Sequence, residues 1–211
     1  MTKPPDHPAP HPAAIFLRTY CDALLRVDDR LERVRYVVDP RSGSPVLPVL
    51  PDVLEAETVT LHIPDDGLEH SDALHILARP LTVDAGTHPA PDRYLICLGP
   101  PRQRGASAWM TLTSPTAKFR GQMVETAELF IPNPFAATEG RACSTTNKTP
   151  LALRPACDRA GFTPAQLPDP RLVGLDPWGA DIRAPLGIIR VDWSDSPTAS
   201  IEDSLRRLRE G

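Results

Sequence analysis

The chain has 211 residues, 41% of them hydrophobic and 24% charged, with a formal net charge of -4. That is the composition of one globular domain, or of one domain with a small appendage, and the acidic balance argues against a general nucleic-acid binder. Proline is the outlier, with 26 residues against 12 glycines; the usual share of proline is about 5%. Scattered prolines fix φ and remove donors, which excludes long helices through the middle and favours short strands and tight turns. No apolar run reaches the roughly 20 residues that span a bilayer, and the proline-rich start does not read as a signal peptide, so a cytoplasmic protein is expected. Cys21, Cys97, Cys143 and Cys157 form no CxxC pair and are read as reduced thiols.

In chain order, residues 1–12 form a proline-rich tail. Ala13 to Val34 carries apolar residues at three- and four-residue steps (Phe16, Leu17, Tyr20, Cys21, Leu24, Val27, Leu31, Val34), which predicts the longest helix. Val34 to Asp39, the turn Pro40-Arg41-Ser42-Gly43-Ser44, and Pro45 to Leu50 read as a hairpin. Glu57 to Ile63 alternates, with Val59, Leu61 and Ile63 on one face, and Pro64-Asp65-Asp66-Gly67 closes it. Ala73 to Val83 reads as a core strand. Arg93 to Leu98, Ala108 to Thr113 and Ala117 to Glu125 are three more, the last two separated by Ser114-Pro115-Thr116. Such spacing suggests an antiparallel barrel or sandwich.

Composition shifts at Pro132-Asn133-Pro134. Phe135 to Cys143 and Leu151 to Ala160 read as short helices, the second opened by Thr149-Pro150 and stopped at Gly161. A meander follows: Arg171 to Leu175, the turn Asp176-Pro177-Trp178-Gly179, Ala180 to Ala184, the turn Pro185-Leu186-Gly187, and Ile188 to Trp193. Ile201 to Arg209 is a closing helix, opened by Ser196 with Pro197 or by Ser200 with Asp203. The fold class is therefore α+β: an antiparallel barrel with an N-terminal helix over residues 13–131, then a small α+β domain over 132–211.

The hairpin Tyr36-Val37-Val38-Asp39-Pro40-Arg41-Ser42-Gly43-Ser44-Pro45-Val46 resembles the first hairpin of the FMN-binding split-barrel, or pyridoxamine-phosphate-oxidase-like, superfamily. Val173-Gly174-Leu175-Asp176-Pro177-Trp178-Gly179-Ala180-Asp181-Ile182-Arg183, then Ile189-Arg190-Val191-Asp192-Trp193, is similar to the small domain after the barrel in heme-utilisation proteins. The resemblance implies a split barrel, an FMN cofactor, a flavin-dependent oxidoreductase of unknown substrate, and a homodimer sharing the cofactor cleft. The alternative is a non-enzymatic module of the same fold that binds heme or a protein partner. Pro134 to Pro170 holds no histidine, a departure from the histidine-bearing helix of the heme group.

An FMN site needs cations and hydroxyls converging on a phosphate, and a dry wall for the ring. Trp109, Thr111 and Thr113 share one strand face, and Lys118 and Arg120 share a face of the next; if those strands pair, hydroxyls and cations meet. The competing reading is strand-forming threonines and a solvated edge. Arg79 interrupts an apolar strand and must find a phosphate, an ion partner or the surface. His62, His70 and His75 invite a metal reading, but no carboxylate pattern supports it, so they read as packed or solvated and no metal site is assigned. Asp176 and Asp181 read as turn chemistry, and Trp178 either as an exposed anchor or as folded back. No nucleotide, hydrolase or zinc-protease motif is present, so no catalytic residue is assigned.

Overall fold

A computed structural model describes residues 9–66, 71–163, 165–185, 187–193 and 195–210. Residues 1–8 of the predicted tail lie outside the described residues, as does His70. The chain divides into two compact units, His11–Ile131 and Pro132–Gly211.

The first unit is a curled antiparallel half-barrel, the split barrel of the α+β class. It opens with α1 (Pro12–Thr19), whose N-cap His11 accepts from the Ala13 amide at 3.2 Å. The strands are β1 (Asp22–Val27), β2 (Arg30–Arg35), β3 (Val37–Val38), β4 (Pro45–Val49), β5 (Val59–Ile63), β6 (Leu74–Thr82), β7 (Ala108–Phe119) and β8 (Gln122–Val124). A 3-10 turn, Pro51–Glu55, follows β4, and helices α2 (Ala90–Leu98) and α3 (Thr126–Leu129) flank β7 and β8. The sheet order is β2-β1-β5-β6-β7-β4-β3, with β8 on β7.

The core is the set of inward side chains at alternate positions. Leu25, Leu61, Ile63, Leu74, Ile76, Leu47 and Met110 are fully buried and pack with Leu17 of α1. Each contributes roughly 1.5–3 kcal/mol of apolar transfer energy. Tyr36 closes the interior, its hydroxyl donating to the Leu17 carbonyl at 2.8 Å.

Three local readings are corrected. The helix expected over Ala13 to Val34 stops at Thr19, and the remainder is the β1–β2 hairpin. The same segment carries a period of two (Ala23, Leu25, Val27), and Asp28, at φ 50°, supplies the left-handed turn residue that aspartate tolerates. Leu31 of the supposed stripe is 50% exposed. Arg93 to Leu98 is not a strand but part of α2, where Pro91 sits in the first turn and Ala90, Tyr94 and Cys97 are buried at helical spacing. The segments split by Ser114-Pro115-Thr116 form the single strand β7. Leu77 faces Thr116 and Arg79 faces Thr113, so Ser114 and Pro115 together oppose Ala78 in a bulge, with Ser114 at φ 48°.

The second unit contains α4 (Glu139–Thr146), a 3-10 turn (Pro150–Leu153), α5 (Arg154–Arg159), the meander β9 (Arg171–Asp176), β10 (Gly179–Ala184) and β11 (Gly187–Asp192), and α6 (Ile201–Glu210). The meander follows the sequence reading closely, in the order β11-β10-β9. Helix α6 is opened by Ser200, whose hydroxyl accepts from the Asp203 amide at 3.1 Å and donates to that residue's carboxylate. The free edge of β9 is completed by side chains. Asn147 bonds both backbone groups of Leu172, Glu139 accepts from the Leu175 amide, and Asn133 donates to the Leu175 carbonyl, each within 2.9 Å. That pairing accounts for a glutamate only 3% exposed at position 139.

Candidate functional site

Arg190 is the most deeply buried cation described in the second unit. Its side chain is 2% exposed and pairs with Asp176 and Asp181 at 2.9 Å each. Burial opposes its charge, and the two carboxylates more than restore it, so the guanidinium titrates well above its ordinary range. Asp176 also accepts from the Trp178 amide at 2.9 Å, so the expected turn chemistry is present beside an ion pair the turn does not reveal. Gly179 lies under this guanidinium, and a Cβ there would sit 2.8 Å from Arg190 Cζ. The Gly-x-Asp-x-x-Gly-x-Asp run is thus a cradle for Arg190. Trp178 is folded back, 3% exposed.

Among the described residues, two clefts are lined by charge. One, of about 770 Å³ and bounded by α5, β11 and α6, has its arginines engaged: Arg206 with Asp203, Arg207 on the Ser196 carbonyl, Arg159 on the Arg207 carbonyl. The other, of about 480 Å³ beside β2, holds the Arg35–Asp22 and Arg33–Asp65 ion pairs and the Gln103–Glu32 bond. Cys21, next to Asp22 in the chain, donates to that carboxylate, and burial and the carboxylate push its thiol up to about 12, so it is no nucleophile.

The outer face of the barrel sheet is different. In a chain of net charge -4, strands β1, β5, β6 and β7 contain a single carboxylate, Asp22, which pairs with Arg35 at 3.3 Å. The same strands present Arg26, His62, His75, Arg79 and Lys118 at positions turned away from the core. Arg79 and Lys118 are exposed and have no hydrogen-bond or ion partner among the described residues. Leu77 and Leu81, 46% and 52% exposed, lie between and beyond them.

The six residues singled out from the sequence fall into two groups. Arg79 and Thr113 are cross-strand partners on the open face, and Lys118 lies further along β7 opposite His75. The other three are engaged. Trp109 packs on Val46, Val83 and Ala90 and meets Tyr94 edge-on at 5.2 Å, beneath α2. Thr111 donates to the Pro45 carbonyl at 3.0 Å and bonds Ser44 at 2.9 Å. Arg120, at φ 49° after β7, pairs with Asp72 at 3.7 Å and lies over the Phe119 ring. Because Thr111, Thr113 and Lys118 share one strand, they do not face each other across a pair as expected. Sequence reasoning missed Arg26 and the His62–His75 contact. The signal for the last was present: pairing Ile63 with Leu74, the inner ends of two predicted strands, puts His62 opposite His75.

No family model matches this chain, and no curated protein does. Among solved structures it is similar to the protein Atu2129, of unknown function, from Agrobacterium tumefaciens str. C58, with a TM-score of 0.70, 15% identity and full coverage of both chains. At that identity the likeness is one of fold. A heme-binding protein from Mycobacterium smegmatis aligns over 95% of this chain and 97% of its own with a TM-score of 0.36 and 16% identity, too loose to argue from.

Proposed function

We propose that this chain is a ligand-binding split-barrel module whose outer sheet face holds an anionic, planar cofactor of the flavin mononucleotide type. The observation that supports it is the cationic outer face: Arg79 and Lys118, without a partner among the described residues, on strands with no free carboxylate, in an acidic chain. The donor set fits an elongated ligand. His75 and Arg79 are four residues apart on β6, about 13 Å at ~3.3 Å per residue. Lys118 and His75 suit a phosphate at one end, Leu77 gives an apolar middle, and Arg79 with Thr113 offers donors to a polar ring edge at the other. Bound flavin would supply the electron chemistry of an oxidoreductase, while this chain binds, orients and shields it.

An open sheet covers one side of a planar ring, and small-molecule sites bury most of their ligand. A second copy laid on Leu77 and Leu81 supplies the other side, so the module works as a homodimer. The absorption spectrum and light-scattering mass of the freshly purified protein test both parts. Flavin bands on a dimer are expected; a colourless monomer that takes up no added FMN overturns the reading. A Soret band after heme addition, with no response to FMN, would transfer the site to a tetrapyrrole, which the adjacent His62 and His75 rings favour as the second reading.

A further inference from the structure

Side chains on the outer face line up in rows that cross the strands. Leu24, His62, His75, Lys118 and Met123 are successive cross-strand partners on β1, β5, β6, β7 and β8. The neighbouring row is Arg26, Thr60, Leu77 and Thr116. The His62 and His75 rings meet edge-on, with centroids 4.8 Å apart and planes at 78°.

His62 is the anomaly in this row. It is 6% exposed, and neither ring nitrogen has a hydrogen-bond partner among the described residues. A buried polar ring left unsatisfied costs on the order of 1–3 kcal/mol, which asks for an explanation. The charged and titratable groups facing it are Arg26 from β1 and His75 from β6, with Lys118 one strand further on β7; none of these strands turns a carboxylate toward it. Two fixed cations beside two imidazoles oppose a metal dication and suit an anion.

We infer that the row His62–His75–Lys118, flanked by Arg26, is an oxyanion subsite that takes up a phosphate-class dianion together with a proton on His62. It rests on the reading of the outer face as a cofactor site and names where that cofactor's phosphate goes. The chemistry follows from the field at the rings. Without an anion, burial, His75 and Arg26 lower His62 to about 4, and its ring is neutral at pH 7. A dianion beside the rings opposes the fields of His75 and Arg26 and favours the imidazolium, one N–H of which then donates to it. The proton comes from solvent, and no covalent bond changes. Because the protonated row binds the anion, affinity rises as pH falls.

The test uses sulfate, whose charge is constant over the window, and the histidine ring signals of the full chain in solution. The His62 and His75 signals are expected to shift with millimolar sulfate at pH 6, with affinity falling about tenfold or more by pH 8. Lys118→Gln is expected to weaken sulfate by about tenfold at an unchanged melting temperature, and His62→Gln to flatten the pH dependence. Rings indifferent to sulfate at pH 6, an affinity independent of pH, or a response to Zn(II) in place of sulfate each overturn the subsite. If FMN binds while sulfate leaves the rings alone, the subsite fails and the cofactor reading stands; if sulfate shifts the rings and FMN does not bind, the reverse holds.

Discussion

Arg190 shows how much one side chain can organise. Its guanidinium draws Asp176 from the end of β9 and Asp181 from β10 onto β11, so a single residue ties all three strands of the meander. Removing one partner of a buried pair leaves the others charged and desolvated, a loss of about 3–5 kcal/mol. Arg190→Met is therefore expected to lower the stability of the second unit by that amount in urea unfolding, and a loss below about 1 kcal/mol would contradict the role. His62 carries a pH signature in the unliganded protein. Its folded value of about 4 lies below the ordinary 6.5, so the unfolded chain binds more protons between those limits. Stability from this group is complete above pH 6.5 and declines as pH falls toward 4. Urea midpoints across that range should fall less steeply for His62→Gln than for the parent, and parallel curves would contradict the burial argument. These effects were not legible in the sequence, because an ion pair between β9 and β11 and a buried histidine depend on strand register.

At the scale of elements, the sequence is legible where one pattern dominates and ambiguous where two coincide. The strands around Val59 and Leu74 and the whole β9–β11 meander have clear alternation and turn residues, and they were legible to within a residue or two. Asp22 to Arg35 satisfies helical and strand periods at once, and the choice falls to the Asp28-Asp29 turn and to partners on β5 that local pattern does not contain. Pro115 looked like a boundary; the bulge opposite Ala78 absorbs it and lets β7 continue. The hairpin turn after β3 is set by a close approach. Gly43 has φ 75°, and a Cβ there would lie 2.6 Å from the Ile131 backbone nitrogen and oxygen. Gly43→Ala combines a left-handed strain of roughly 1–2 kcal/mol with that clash. A loss of at least about 2 kcal/mol is expected from thermal unfolding, and a neutral effect would show that Ile131 gives way.

At the scale of the molecule, the α+β split barrel and the small meander domain were readable from strand spacing and turn chemistry, whereas the site was readable only in part. Arg79 and Lys118 emerged as exposed groups on the outer face with Thr113 half-buried beside Arg79, but Trp109, Thr111 and Arg120 proved to be committed to packing, backbone and ion-pair contacts. The reason is physical: a residue type announces which bonds it can make, and only the fold decides which are already made. The central claim is that a cation-rich sheet face binds an anionic flavin, and charge gives it a direct measurement. Titration of the full chain with FMN, followed by flavin fluorescence beside riboflavin, isolates the phosphate. The account predicts micromolar FMN affinity that weakens with added salt, at least tenfold weaker binding of riboflavin, and a comparable loss of FMN affinity in Lys118→Gln. Equal affinity for both flavins, or none for either at tens of micromolar, would contradict it.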